Sequence, residues 1–219
     1  MKLALIQKDI NNTDLRSLVE QASKTKPDLV CFGELAFNGC SYKPCDLPPI
    51  SEFEKELKGY SFDILAGVAL PTNELPFNSY IHYCDGIKHL YHKVNLFELF
   101  NETKTFQAGL EPGIWETDFG RVGVAICYDL RFDDLFEKMK AAQVDLIFVP
   151  AAWPRVRVDA YRELLIQRAK ETESFIIGIN AVGSDSRNEF GGSSSVISPE
   201  GEIIAQANET TASIIECEI

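Results

Sequence analysis

The spacing of apolar positions changes along the chain, and each change marks an element. Leu3-Ala4-Leu5-Ile6-Gln7 is a short apolar run, the pattern of a strand buried on both faces. After Asn11-Asn12, Thr13 is placed to cap a helix whose apolar positions Leu15, Leu18, Val19 and Ala22 follow helical spacing, and Pro27 ends it. Leu29-Val30-Cys31-Phe32 is a second buried strand that runs into Gly33-Glu34. The same grammar returns in the second half, with a strand over Val122–Ile126, a helix over Phe132–Ala142 (Phe132, Leu135, Phe136, Met139) and a strand over Leu146–Val149. Both units open their second strand with an Asp-Leu pair, Asp28-Leu29 and Asp145-Leu146. This repetition predicts two stacked β layers with helices outside.

Between the units, Asp63–Leu70 and Ser79–Tyr83 read as strands separated by the turn residues Pro71, Asn73 and Pro76, and Ile87–Tyr91 as a hairpin return after Asp85-Gly86. Further on, Asp159 is placed to cap a helix carrying Tyr161, Leu164 and Leu165. Strands follow over Ser174–Asn180 and Gly192–Ser198, then a last hairpin around Pro199-Glu200-Gly201. No linker or low-complexity stretch interrupts the alternation, so residues 1–219 are expected to form one α/β domain. Composition agrees: 219 residues, 45% hydrophobic and 25% charged, exclude collagen-like, coiled-coil and disordered classes. The 21 Lys and Arg against 33 Asp and Glu leave a net charge of −12, which argues against nucleic acid and anionic membranes as partners. A charge interrupts the N-terminus before a signal-peptide core forms, and no apolar stretch is long enough to span a bilayer. A soluble cytoplasmic protein is expected.

Chemistry in α/β folds gathers where strands end, and two strand ends carry reactive groups, Glu34 and Cys127. Cys127 lies at a strand-to-helix switch, where backbone N–H groups can lower a thiol pKa and receive an oxyanion. The competing reading is a small buried hydrophobe, which fits Cys31 better. The six cysteines are too sparse for a disulfide framework. Cys40, Cys45, His82 and Cys84, the one candidate metal set, lack structural-zinc spacing. His82, His89 and His92 crowd into one hairpin, which gives poor support to a Cys-His protease, and no Gly-x-Ser-x-Gly elbow exists. Glu34 and Lys93, each amid apolar residues, could serve instead as base and oxyanion partner, or be surface charges.

Those residues carry a resemblance. Phe-Gly-Glu34-Leu-Ala-Phe-Asn-Gly, His-Lys93-Val-Asn-Leu-Phe and Ile-Cys127-Tyr-Asp-Leu-Arg-Phe resemble, in order and separation, the three signature segments of the nitrilase superfamily of carbon-nitrogen hydrolases. The likeness continues through Val-Pro-Ala-Ala-Trp-Pro (149–154), Leu-Leu-Ile-Gln-Arg-Ala-Lys-Glu (164–171), Gly-Ile-Asn-Ala-Val-Gly (178–183) and the Gly-Gly-Ser-Ser-Ser run (191–201). It implies a four-layer αββα sandwich, commonly a homodimer or larger even-numbered oligomer, with no cofactor and no metal. It implies that Cys127 attacks an amide carbonyl, that Glu34 acts as general base, and that Lys93 with the Tyr128 N–H holds the oxyanion. Glu102 matches a second glutamate of the family, with Glu98 the weaker candidate.

Tyr-Asp-Leu-Arg-Phe together with Pro-Ala-Ala-Trp-Pro is most similar to the omega-amidase branch, which removes ammonia from small dicarboxylic monoamides. Arg131 then becomes a candidate for a substrate carboxylate, with Arg155 and Arg157 behind it; the alternative is an ion pair with Asp129, Asp133 or Glu34. Trp153 and Tyr128 are either pocket walls or core aromatics. The chain departs from the family in Asp133-Asp134, where Pro-Glu is common, and in a shorter stretch between Glu34 and Lys93 and at the C-terminus. The expected activity is hydrolysis of a small primary amide through a thioester. The alternatives are a carbamoyl or nitrile hydrolase and a catalytically silent binding or assembly relative.

Overall fold

The computed structural model describes residues 1–38 and 50–219. Two six-stranded sheets face each other. Strand β1 (Lys2–Gln7) leads through helix α1 (Leu15–Ser23) to β2 (Leu29–Phe32), and α2 (Ile50–Leu57) precedes β3 (Asp63–Leu70), β4 (Phe77–Tyr83) and β5 (Ile87–His92). The second half runs β6 (Gly113–Thr117), β7 (Gly120–Val124), α3 (Asp133–Ala141), β8 (Leu146–Pro150), α4 (Val158–Thr172), β9 (Phe175–Ile179), β10 (Ser195–Ile197), β11 (Ile203–Gln206) and β12 (Ser213–Glu218). The sheet orders are β12-β1-β2-β3-β4-β5 and β11-β10-β9-β8-β7-β6. β1, β2 and β3 pair in parallel, as do β7, β8 and β9.

Period-two alternation sorts the core into three layers. Leu3, Leu5, Leu29, Cys31, Tyr80 and Tyr91 meet Val122, Val124, Phe148 and Ile177 between the sheets. Ala4, Ile6, Val30 and Phe32 point the other way, onto Leu15, Val19 and Ala22 of α1 and Phe53 and Leu57 of α2. Ile147, Val149 and Ile176 likewise pack on Phe136 and Met139 of α3 and Tyr161 and Leu165 of α4. The result is the expected αββα sandwich, and its central strands are apolar throughout because both faces are covered.

The repeated Asp-Leu pairs have one structural job in both halves. Asp28 Oδ2 accepts the Lys2 N–H at 2.7 Å, and Asp145 Oδ2 accepts the Arg121 N–H at 2.7 Å. In each unit a carboxylate at the start of the second strand holds the start of the first.

The helix starts differ by a residue from the sequence reading. Asp14 rather than Thr13 caps α1, accepting from the Ser17 N–H at 3.0 Å. A tight turn over Arg155–Arg157 starts α4 at Val158, so Asp159 lies inside the first turn. The strands expected over Ser174–Asn180 and Gly192–Ser198 are shorter, because side-chain bonds take over from the ladder: Asn180 Nδ2 donates to the Gly192 carbonyl at 2.8 Å and Ser194 Oγ accepts the Asn180 N–H at 2.9 Å. Helix α2, with Ile50, Phe53 and Leu57 at helical spacing, was missed by the sequence reading; strands β6 and β12 carry no clear periodic signal, and β12 is fixed by antiparallel pairing with β1. Among the described residues no helix is long and apolar enough to cross a membrane.

Candidate active site

Glu34 leaves the end of β2 and is followed by Leu35 at φ 47, a left-handed kink that turns the chain away from the sheet. Neighbouring β3 approaches this kink so closely that a Cβ on Gly67 would lie 2.4 Å from both the Gly33 carbonyl oxygen and the Leu35 nitrogen. The carboxylate is 2% exposed and held from three sides. Lys93 Nζ and Asn78 Nδ2 each donate to Oε1 at 2.8 Å, and the Ala152 N–H donates to Oε2 at 3.0 Å.

Lys93 follows β5, its backbone tied to β4 by donation from its N–H to the Asn78 carbonyl at 2.8 Å. Its ammonium, 1% exposed, bridges Glu34 and Glu102, with Nζ 2.9 Å from Glu102 Oε1. Glu102 is wholly buried, and its other oxygen accepts the Phe97 N–H at 2.7 Å. Glu98 is exposed and takes no part in this contact.

Burial opposes charge on Lys93, but Glu34 and Glu102 outweigh it and hold the ammonium well above the usual lysine range. Burial raises the Glu102 carboxyl, with Lys93 pulling the other way.

Cys127 opens a tight turn over Cys127–Arg131 and is itself left-handed at φ 49, a conformation few non-glycine residues adopt. Burial pushes its thiol well above the usual range, and the Glu34 charge adds to this; Lys93 and the Ala152 N–H act against it. Cys31 is fully buried, with its thiol raised by burial alone.

Lys93, Glu102, Cys127, Tyr128, Trp153 and Arg131 line one narrow cavity that opens to solvent. Glu34 lies behind Lys93 and Ala152, bonded to both. Tyr128 is a wall residue that touches Phe97 and Phe132; Trp153 is both wall and core, packing on Tyr161.

The ion pairs envisaged for Arg131 do not form. Lys93 holds Glu34, Arg168 takes Asp133 at 2.8 Å, and neutral donors occupy Asp129. The Arg131 guanidinium instead lies 5.0 Å from the centre of the Trp153 ring. Arg155 pairs with Glu189 at 2.5 Å, while Arg157 reaches the cavity wall.

Of the metal set, Cys40 and Cys45 lie outside the described residues, and His82 Nε2 bonds Asp63 at 2.7 Å. Among the described residues no group of three or more His, Cys, Asp or Glu is placed to hold a metal ion.

Two contributors escape a reading of motifs. Asn78 and the Ala152 amide both hold Glu34, and the signal for Asn78 was a polar pair, Asn78-Ser79, in a strand that is otherwise buried and largely apolar.

Glu34, Lys93 and Cys127 are thus gathered at the strand ends of a double-layered α/β sandwich, an arrangement found in hydrolases, and the sequence places the chain within one family of them. The chain belongs to the carbon-nitrogen hydrolase family, whose profile matches residues 7–219. It is 36% identical over 172 residues to the 2-oxoglutaramate amidase of Bacillus subtilis, covering 77% of this chain and 66% of that protein. It is 30% identical over 213 residues to the hydrolase in the agr operon of Staphylococcus aureus, covering 91% of this chain and 81% of that protein. The fold matches an amidase from Nesterenkonia sp. AN1 with a TM-score of 0.88 and 18% identity, covering 100% of this chain and 93% of that one; that structure shows acrylamide added to the active-site cysteine.

Proposed function

We propose that this protein hydrolyses a small primary amide, through a thioester on Cys127, to a carboxylate and ammonia. The observation that carries the reading is the Lys93 ammonium, clamped between Glu34 and Glu102 in the wall of the cavity that Cys127 lines. The thiol proton passes to Glu34 as sulfur attacks the amide carbon, so the raised thiol pKa is met by a base close at hand. Lys93 Nζ and the Tyr128 N–H hold the developing oxyanion; a residue this early in a helical turn has no intrahelical acceptor for its N–H. Glu34 returns the proton to the departing nitrogen, ammonia leaves, and a thioester remains. Water, deprotonated by Glu34, then attacks the thioester and releases the carboxylic acid and the thiol.

The substrate is an omega-amide of a dicarboxylic acid, its distal carboxylate meeting Arg131 at the mouth and its chain lying along Trp153. Support comes from the Arg131 guanidinium, which has no carboxylate partner among the described residues. The Bacillus subtilis relative, an amidase of 2-oxoglutaramate by name, supports the same class.

The test is ammonia release across primary amides, nitriles and carbamoyl compounds, with and without a distal carboxylate. Omega-amides should lead, Cys127→Ala should abolish turnover, and hydroxylamine should divert product to hydroxamate in step with hydrolysis. Arg131→Leu should raise KM for the carboxylate substrates about tenfold or more while leaving neutral amides little changed. Turnover near the parent rate in Cys127→Ala would refute the nucleophile, and a preference for nitriles or carbamoyl compounds would refute the substrate class.

A further inference from the structure

Asp129 takes no part in the proposed chemistry, yet it is fully buried with four donors on its carboxylate and no ion-pair partner among the described residues. Oδ1 accepts the Asn95 N–H at 2.8 Å and Asn95 Nδ2 at 2.9 Å, while Oδ2 accepts the Tyr91 hydroxyl at 2.8 Å and the Ile126 N–H at 2.9 Å. The spacing explains why. Asp129 lies two residues past Cys127, and Tyr91 and Asn95 lie two residues before and after Lys93. One carboxylate thus grips the chain on both sides of the lysine and also grips the residue preceding the cysteine.

Tyr128 of the same turn touches Phe97, but among the described residues the hydrogen bonds that link the turn to the Lys93 segment run through Asp129. Cys127 sits at φ 49, so the turn is held in a sparsely populated conformation that its surroundings must maintain. On the far side, Arg168 Nε donates to the Leu130 carbonyl at 3.1 Å, which ties the turn to α4 rather than to the Lys93 segment.

We infer that Asp129 is a positioning residue that sets Cys127 against Lys93 across the two sheets. The inference rests on the reading of Cys127 as nucleophile and Lys93 as its charge partner. It extends that reading to a group that touches neither substrate nor the reacting atoms.

Asp129→Asn tests it, because an amide cannot accept on both sides: the NH₂ group must face either the Asn95 donors or the Ile126 N–H. Steady-state kinetics on a primary amide and the iodoacetamide alkylation rate of Cys127 at neutral pH are compared with the parent. Positioning predicts a fall in kcat on the order of 100-fold with KM within about threefold. It also predicts slower alkylation, since a thiol moved away from the Lys93 ammonium holds its proton more tightly. A merely structural role predicts the opposite for the thiol, as a loosened turn exposes it and speeds alkylation.

Tyr91→Phe, which removes one of the four bonds and keeps the ring in the core, should show the same pattern at about a tenth of the effect. If Asp129→Asn does not fold, Tyr91→Phe decides alone. A folded variant of either kind with parental kcat and parental or faster alkylation overturns the inference. Because alkylation needs no substrate, that result leaves the proposed reaction standing, whereas turnover persisting in Cys127→Ala would remove both.

Discussion

Gly67→Ala is a test of how tightly Glu34, the proposed base, is placed, because the substitution lies outside the cavity and adds one carbon. The new Cβ would sit 2.4 Å from the Gly33 oxygen and the Leu35 nitrogen and 2.8 Å from the Glu34 carbonyl carbon, all backbone atoms with no rotamer to relieve the clash. Ordinary Cβ contacts begin at roughly 3.0 to 3.4 Å, so the strand end carrying Glu34 must retreat by about 0.6 to 1.0 Å. Overpacking of this kind costs about 1–3 kcal/mol, or roughly 2–12 °C in Tm for a chain this long. A 1 Å misplacement of a reacting group costs about 100-fold in rate, near 2.7 kcal/mol of transition-state stabilisation. The assay is ammonia release at a temperature where both proteins are fully folded, with Tm measured alongside. Gly59→Ala is the control: its Cβ would meet nothing within 4 Å, so its φ of +97 costs stability but should leave kcat unchanged. A Gly67→Ala protein with the expected Tm loss but parental kcat would refute the claim that β3 fixes Glu34.

Three further outcomes follow from the site. Because burial and the Glu34 charge hold the Cys127 thiol well above its usual range, less thiolate is present at neutral pH, and alkylation should still be rising at pH 9; a plateau below pH 8 would contradict the stated causes. Lys93→Met removes the cation that opposes them, so the same profile should move to higher pH with slower labelling at every point. Asn78→Leu deletes one donor to Glu34 but also a buried Oδ1 that has no partner among the described residues, so stability should shift by less than about 1 kcal/mol while kcat falls about tenfold. An unchanged kcat in a folded Asn78→Leu protein would show that Glu34 is held in place without Asn78.

The layers of this protein were legible in its sequence for a local reason. A strand buried on both faces, such as Leu29–Phe32, has no polar side to show, and a helix such as α3 repeats its apolar positions every three or four residues whatever it packs against. Glu34, Lys93 and Cys127 stood out only through the resemblance of their short segments to a family's signature segments; taken singly, each had an ordinary structural reading. An element without a periodic signature of its own was hidden: β12 exists because β1 needs a partner on its open edge.

Contacts across the sandwich could be read only from the folded chain. That Lys93 is shared by Glu34 and Glu102, that Asn78 holds Glu34, and that Asp129 links Tyr91 and Asn95 to the cysteine turn all depend on strand register and on the meeting of two sheets. The fate of Arg131 turned on the same thing. Sequence offered it three carboxylates, but packing had already committed Glu34 to Lys93, Asp133 to Arg168 and Asp129 to neutral donors, which left the guanidinium over Trp153 at the cavity mouth. Periodicity and short motifs are properties of neighbouring residues, so the sequence determined the elements and the chemical groups on offer. Which charge meets which is settled by distances between residues far apart in the chain, and those only the tertiary structure decided.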